Sequence, residues 1–222
     1  MSWSWDYVVE ILPTLLRGLV LTVTVTLAGS AIAIVVGALL SVVIWTRVPV
    51  LSQVARGYVQ FVRGTPLLVQ LFFLFYVLPD FGIRLTPFQA GVLGLGLNYC
   101  TYLAEAYRSG LQALPRGQWE ACRSLNLPAT RVWLRIVLPQ VVPPLLPVIG
   151  NYVNLMFKVS ALVATISVAE TFMQATTLGN STYRYLEPLT VAGVLYLAVS
   201  IPVTVLLHRI NSRHAVNRKE FA

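Results

Sequence analysis

Five stretches of the chain are apolar over roughly the 20 residues that a helix needs to cross a bilayer core, with short polar segments between them. The first runs from about Leu19 to Trp45 and the second from Tyr58 to Leu78. The third runs from Pro87 to Ala106, the fourth from Val141 to Val168, and the fifth from Pro188 to Leu207. The pattern predicts an all-α membrane protein of five transmembrane helices, with residues 1–222 forming a single membrane domain. The second stretch is the most polar at its start, where Arg56 and Arg63 crowd in, so its first turns belong at the interface. Pro66, Pro143, Pro144, Pro147 and Pro202 lie in or beside the stretches, so kinks are expected, above all in the fourth.

Charge sets the orientation. Of the sixteen basic residues, twelve fall in three segments on one side: Arg47, Arg56 and Arg63; Arg108, Arg116, Arg123, Arg131 and Arg135; and Arg209, Arg213, Arg218 and Lys219. The other side holds Arg17, Arg84 and Arg184 together with Asp6, Glu10, Asp80, Glu170 and Glu187. Positive loops stay in the cytoplasm, which places the N-terminus outside and the C-terminus inside. Composition agrees: 57% of residues are hydrophobic and 11% charged, against about 25% charged in soluble domains. The net charge of +8 invites a nucleic-acid reading, but no basic stripe is interleaved with aromatics, so none is expected as a partner. Asp6 and Glu10 give the N-terminus the wrong charge for a cleavable signal, so the first span is expected to stay.

The segment Leu111–Gln140 is the informative one. Pro115 precedes a proline-free run, Arg116 to Leu125, that predicts a short helix. Asn126 can take the left-handed conformation that ends it. Pro128 suits the first turn of a second helix, expected to end before Pro139. Trp119, Cys122 and Leu125 or Asn126 recur at helical spacing as one stripe. A basic hairpin of this kind can lie on lipid headgroups or dock into a groove on a soluble partner.

The loop resembles the Glu-Ala-Ala signature of membrane subunits of ATP-binding-cassette importers, the "EAA" loop. Here it reads Glu120-Ala121-Cys122, three residues, Asn126, nine residues, then Ile136-Val137-Leu138-Pro139. Cys122 stands where the signature has a second alanine, and Asn126 where it has glycine. Phe61-Val62-Arg63-Gly64-Thr65-Pro66-Leu67-Leu68-Val69-Gln70, Ala104-Glu105-Ala106-Tyr107-Arg108-Ser109-Gly110 and Pro115-Arg116-Gly117-Gln118-Trp119-Glu120 are similar to segments of the polar amino acid subfamily. The resemblance covers roughly residues 14–210. It implies the type I importer permease fold and import of a polar amino acid or an opine-like relative across the bacterial inner membrane. It also implies the partners: two cytoplasmic ATPase subunits that carry ATP and magnesium, a second permease subunit (a copy or a homologue), and an external binding protein.

On that resemblance Gly117, Trp119, Glu120, Ala121, Cys122 and Asn126 are the expected coupling residues. Glu120 would meet a basic residue of the ATPase, or pair instead with Arg116 or Arg123 in its own helix. Trp119 would anchor the dock or sit at the membrane interface. Lys158 lies inside the fourth stretch, where a charge costs about 2.5–3.5 kcal/mol on insertion scales, so it should face protein or water. It can meet a substrate carboxylate, pair with Glu170, or mark a nearer span end. The subfamily often has Lys-Asp-Ser/Thr-Ser-Leu where this chain has Lys158-Val159-Ser160-Ala161-Leu162. Asn98, Asn154 and Ser160 are polar positions in apolar stretches, suited to inter-helix hydrogen bonds or the pathway. The spacing Gly91, Gly94, Gly96 reads as close helix packing.

No phosphate-binding Gly-x-x-x-x-Gly-Lys-Ser/Thr loop, carboxylate pair or nucleophile–base set is present, so the chain is not expected to be an enzyme or to bind a cofactor itself. His208 and His214 do not share a helix face, and Cys100 and Cys122 sit in different environments, so neither a metal site nor a disulfide is expected. The competing class is a self-contained ion-coupled transporter or channel. That class usually relies on intramembrane acids, whereas the deep ionisable residue here is one lysine.

Overall fold

A computed structural model describes residues 3–219, with side chains up to Arg209. The tail residues Arg213, His214, Arg218 and Lys219 lie outside the described side chains.

The chain is helical almost throughout. Helix α1 (Trp5–Thr46) is 42 residues long, about 63 Å, so it overshoots any hydrocarbon core. The Ser4 side chain caps its start. Helix α2 (Pro49–Gly64) follows, then α3 (Leu67–Phe72), which continues through a π-turn (Phe73–Val77) into a 3-10 turn ending at Phe81. Helix α4 (Pro87–Gln112) opens with a reciprocal cap between Thr86 and Gln89. Two short helices, α5 (Arg116–Ser124) and α6 (Ala129–Val132), lead into α7 (Leu138–Val159). The outer segments are a 3-10 stretch (Ser160–Ile166) and α8 (Thr171–Thr182); α9 (Leu186–Lys219) closes the chain.

The core is the α1/α4 pair. The buried face of α1 is a run of small residues, among them Gly18, Thr22, Thr26, Gly29, Ser30, Ala33, Gly37 and Ser41. Small residues let two backbones approach closely, and the packing here depends on it. A Cβ on Gly37 would lie 2.9 Å from the carbonyl oxygen of Cys100, and one on Gly96 would lie 2.7 Å from Cγ2 of Ile32. Gly91 and Gly94 press on Val163 and Leu71, so the glycine spacing in the third stretch does serve close packing.

Among the described residues, three helical runs are long and apolar enough to cross a membrane: Trp5–Thr46, Ala129–Ile166 and Leu186–Arg209. The bent pair Pro49–Gly64 and Leu67–Phe81 makes a fourth if counted as one span. Helix α4 falls short of that test because it is the helix that the others surround. Asn98, Thr101 and Tyr99 on it face protein and are buried, so its surroundings do not demand an all-round apolar surface.

The structure adds detail to the second and fourth stretches and corrects one expectation, the end of the second loop helix. The second stretch is broken: α2 and the α3 segment meet at a 106° bend at Thr65–Pro66. Thr65 is extended, as a residue before proline prefers, and Pro66 cannot donate to continue the ladder. The helical run that carries the fourth stretch reaches back to Ala129. Pro139 therefore does not terminate the second loop helix. A π-turn over Trp133–Val137 widens the backbone just before it, easing the clash a proline makes with the carbonyl four residues back. At its far end the helix gives way at Ser160 to a 3-10 stretch closed by Ser167 in the left-handed conformation.

Candidate coupling hairpin and transport pathway

Helix α5 is held by its buried side and free on the other. Trp119 is the middle of a tryptophan stack, 5.9 Å from Trp45 at the end of α1 and 6.0 Å from Trp133 in the π-turn. Cys122 is buried with Leu111, Val132, Val137, Val141 and Leu145. The stripe that the sequence marks thus begins with two residues gripping the hairpin to its own base, while Leu125 stays 70% exposed. Gly117, Glu120, Ala121 and Asn126 are exposed.

The end of α5 is a capping motif in full. Asn126 has φ 48°, the Leu127 N–H donates to the Cys122 carbonyl at 3.1 Å, and the Asn126 N–H donates to the Arg123 carbonyl at 2.9 Å. This is the double bond pattern that needs a left-handed residue, and asparagine fills it where glycine usually would. Glu120 forms no ion pair with Arg116 or Arg123 or with any other described residue. It lines a groove of about 670 Å³ together with Trp45, Arg47, Leu114, Arg116 and Arg123. A Cβ on Gly117 would meet nothing within 4 Å, so nothing in this chain requires glycine there.

The polar positions of the apolar stretches divide among separate tasks. The Asn98 amide donates to Gln70 Oε1 at 3.1 Å, while the Gln70 amide donates to the Val62 carbonyl (2.9 Å) and to Oγ1 of Thr65 (2.8 Å). That chain of bonds pins the 106° bend, and it was not legible from spacing. Asn154 donates to Oγ1 of Thr204 on α9 at 2.9 Å, leaving its buried Oδ1 without a partner. Ser160 is buried and donates to the Phe157 carbonyl. Lys158 is exposed and lines a cavity of about 390 Å³ with Phe172, Leu189, Ala192, Gly193 and Tyr196. No hydrogen bond joins any two of Asn98, Asn154, Lys158 and Ser160. Tyr99, Tyr102 and Tyr152 form an aromatic cluster between α4 and α7 with centroids 5.7–6.4 Å apart.

Lys158 does not pair with Glu170. Glu170 is fully buried and caps α8, accepting from the Met173 N–H (2.8 Å), the Tyr196 hydroxyl (2.6 Å) and the Thr22 hydroxyl (3.2 Å). It ties α1, α8 and α9 together through neutral donors, which is how a buried carboxylate is tolerated without a cation. Glu105 pairs with Arg108, one helical turn on.

Long apolar helices packed around a polar-faced central one, with a basic helical hairpin at one end, are the architecture of a polytopic helical membrane protein. The profile of binding-protein-dependent transport system inner membrane components matches residues 33–216, and the chain belongs to that family. It is 36% identical to a probable amino-acid ABC transporter permease protein, y4tG, from Sinorhizobium fredii, over 93% of this chain and 92% of that one. It is 31% identical to the arginine transport system permease protein ArtQ of Bacillus subtilis, over 92% of this chain and 94% of that one. Its fold is that of a type I ABC permease. It superposes with a TM-score of 0.89 and 32% identity on a chain from a crystal structure of an amino acid ABC transporter with histidines, covering 96% of this chain and 100% of that one.

Proposed function

We propose that this chain is the membrane subunit of an ATP-driven importer for a polar amino acid or an opine-like derivative. Five spans cross the bacterial inner membrane, α4 being the least apolar of them, with the N-terminus outside and the C-terminus in the cytoplasm. The observation that carries the reading is the α5 hairpin. It is rigidly based through Trp45, Trp119 and Trp133, while Glu120, Gly117 and Ala121 on its outer side have no use within the chain. A lever that transmits motion needs that division between a locked base and a free contact surface.

In this reading two cytoplasmic ATPases, which hold ATP and magnesium, close on each other and carry the hairpins of two permease subunits with them. Glu120 meets a cation on the ATPase, Gly117 and Ala121 allow close approach, and Trp119, Cys122 and Asn126 keep the hairpin stiff. An external binding protein delivers the cargo. The exposed ammonium of Lys158 and the unpartnered Oδ1 of Asn154 are the cargo's first candidate contacts, while Asn98 and Ser160, buried and bonded within the chain, would serve the pathway only if the helices move. Lys158 is the group suited to a carboxylate. The amino-acid class is supported by the two relatives and by the solved transporter.

The test is to tag the chain, solubilise native membranes gently, and identify what co-purifies with wild type and with Glu120→Arg at equal expression. An ATPase subunit recovered with wild type and lost with the variant is the expected result. Absence of any ATPase in several mild detergents, with the chain still folded, would overturn the reading in favour of a self-contained transporter.

A further inference from the structure

A second basic feature lies beside the hairpin and shares Trp45 and Arg47 with its groove. Arg47, Arg56, Arg63 and Arg108 line one pocket of about 480 Å³ between the end of α1, α2 and the end of α4. It holds one carboxylate, Glu105, which pairs with Arg108 and is also attracted by Arg63. Arg47 and Arg56 have no anionic partner among the described residues, and Arg63 lies over the Tyr102 ring at 5.1 Å. A concave site with four guanidinium groups against one carboxylate is a site for an anion, and the planar donor fork of arginine suits phosphate oxygens.

The course of α2 says where that anion is found. The 106° bend turns α2 across the direction of the segment that follows it. Val50, Val54 and Phe61 form an apolar stripe along it, 74%, 63% and 69% exposed. At 100° per residue, Arg56, Gln60 and Arg63 fall on the opposite side of the same helix. A helix lying in the membrane plane with such a stripe sinks the stripe into the acyl boundary and holds its polar side in the headgroup layer. Basic pockets between membrane helices on the cytoplasmic side take anionic headgroups. We propose that this pocket binds the phosphate headgroup of an anionic phospholipid. The inference rests on the cytoplasmic placement of that end of the molecule.

The test uses the full chain in nanodiscs of phosphatidylcholine doped with phosphatidylglycerol, with retained lipid counted by native mass spectrometry. Wild type should retain phosphatidylglycerol about tenfold over phosphatidylcholine, and each of Arg56→Gln and Arg63→Gln should cut that preference about fivefold. Arg131→Gln, on the hairpin and outside the pocket, should leave it unchanged. Equal retention by the pocket variants, or an equal loss in Arg131→Gln, would overturn the site. So would thermal stabilisation by inorganic phosphate in pure phosphatidylcholine that matches the effect of phosphatidylglycerol, which would assign the pocket to a free anion. A disulfide between two Gln60→Cys chains would assign it to a contact between copies and overturn it as well. Labelling Gln60→Cys with an impermeant maleimide separates this inference from the topology beneath it, since both native cysteines are buried. Inside labelling with no lipid preference sinks the pocket alone; outside labelling with the preference intact sinks the topology and leaves the pocket.

Discussion

The α1/α4 seam and the α5 hairpin both depend on small residues, but for opposite reasons. In the seam, Gly37 and Gly96 are demanded by this chain: an added Cβ would strike the Cys100 carbonyl at 2.9 Å or Ile32 at 2.7 Å. In the hairpin, Gly117 faces open space. A glycine that its own chain requires reports on folding. One that its own chain does not require points to something that approaches from outside. The same contrast separates the acids: Glu170 is buried and fully engaged, while Glu120 is exposed and paired with nothing described.

The comparison can be broken by substitution. Gly37→Leu should have the largest effect on stability, about 3 kcal/mol, because the obstructing atom is a backbone carbonyl that cannot step aside. Thermal unfolding in detergent reads it, and an unchanged midpoint would mean that the seam yields more than its geometry allows. Trp119→Ala should cost about 2 kcal/mol, less than a fully buried tryptophan because the ring is half-exposed. It should also weaken ATPase recovery, since the hairpin base loosens between Trp45 and Trp133. Asn126→Val should cost about 1–2 kcal/mol and Asn126→Gly almost nothing, because only the first puts a β-branched residue at φ 48°. Hydrogen exchange of the Leu127 amide distinguishes them. Gly117→Val should change stability by less than about 0.5 kcal/mol. If the dock approaches there, it should still reduce ATPase co-purification at least tenfold; intact recovery would leave Gly117 an ordinary turn residue.

Much of the hairpin was legible because its signals are local. Pro115 and Asn126 act within one or two turns of where they stand, and the left-handed cap at Asn126 follows from what asparagine tolerates. Pro139 misled for the same reason: a local rule ends a helix there, but a π-turn one residue upstream lets the helix run through. The side of α5 that Trp119 serves was open, because its partners Trp45 and Trp133 are set by how α1 and α7 come together.

The order of the apolar stretches, the gathering of the arginines into three segments and the expectation of a kink at Pro66 follow from the amino-acid sequence alone. Hydrophobic length, charge and the missing amide of proline act without reference to distant residues. Tertiary structure decided the rest: the 106° angle of that break and the Asn98–Gln70–Thr65 bonds that hold it, the burial of Trp119 and Cys122 against their own chain, the separation of Lys158 from Glu170, and the meeting of four arginines in one pocket. Each of these depends on residues far apart in the chain being brought within a few ångströms, and no periodicity encodes that distance.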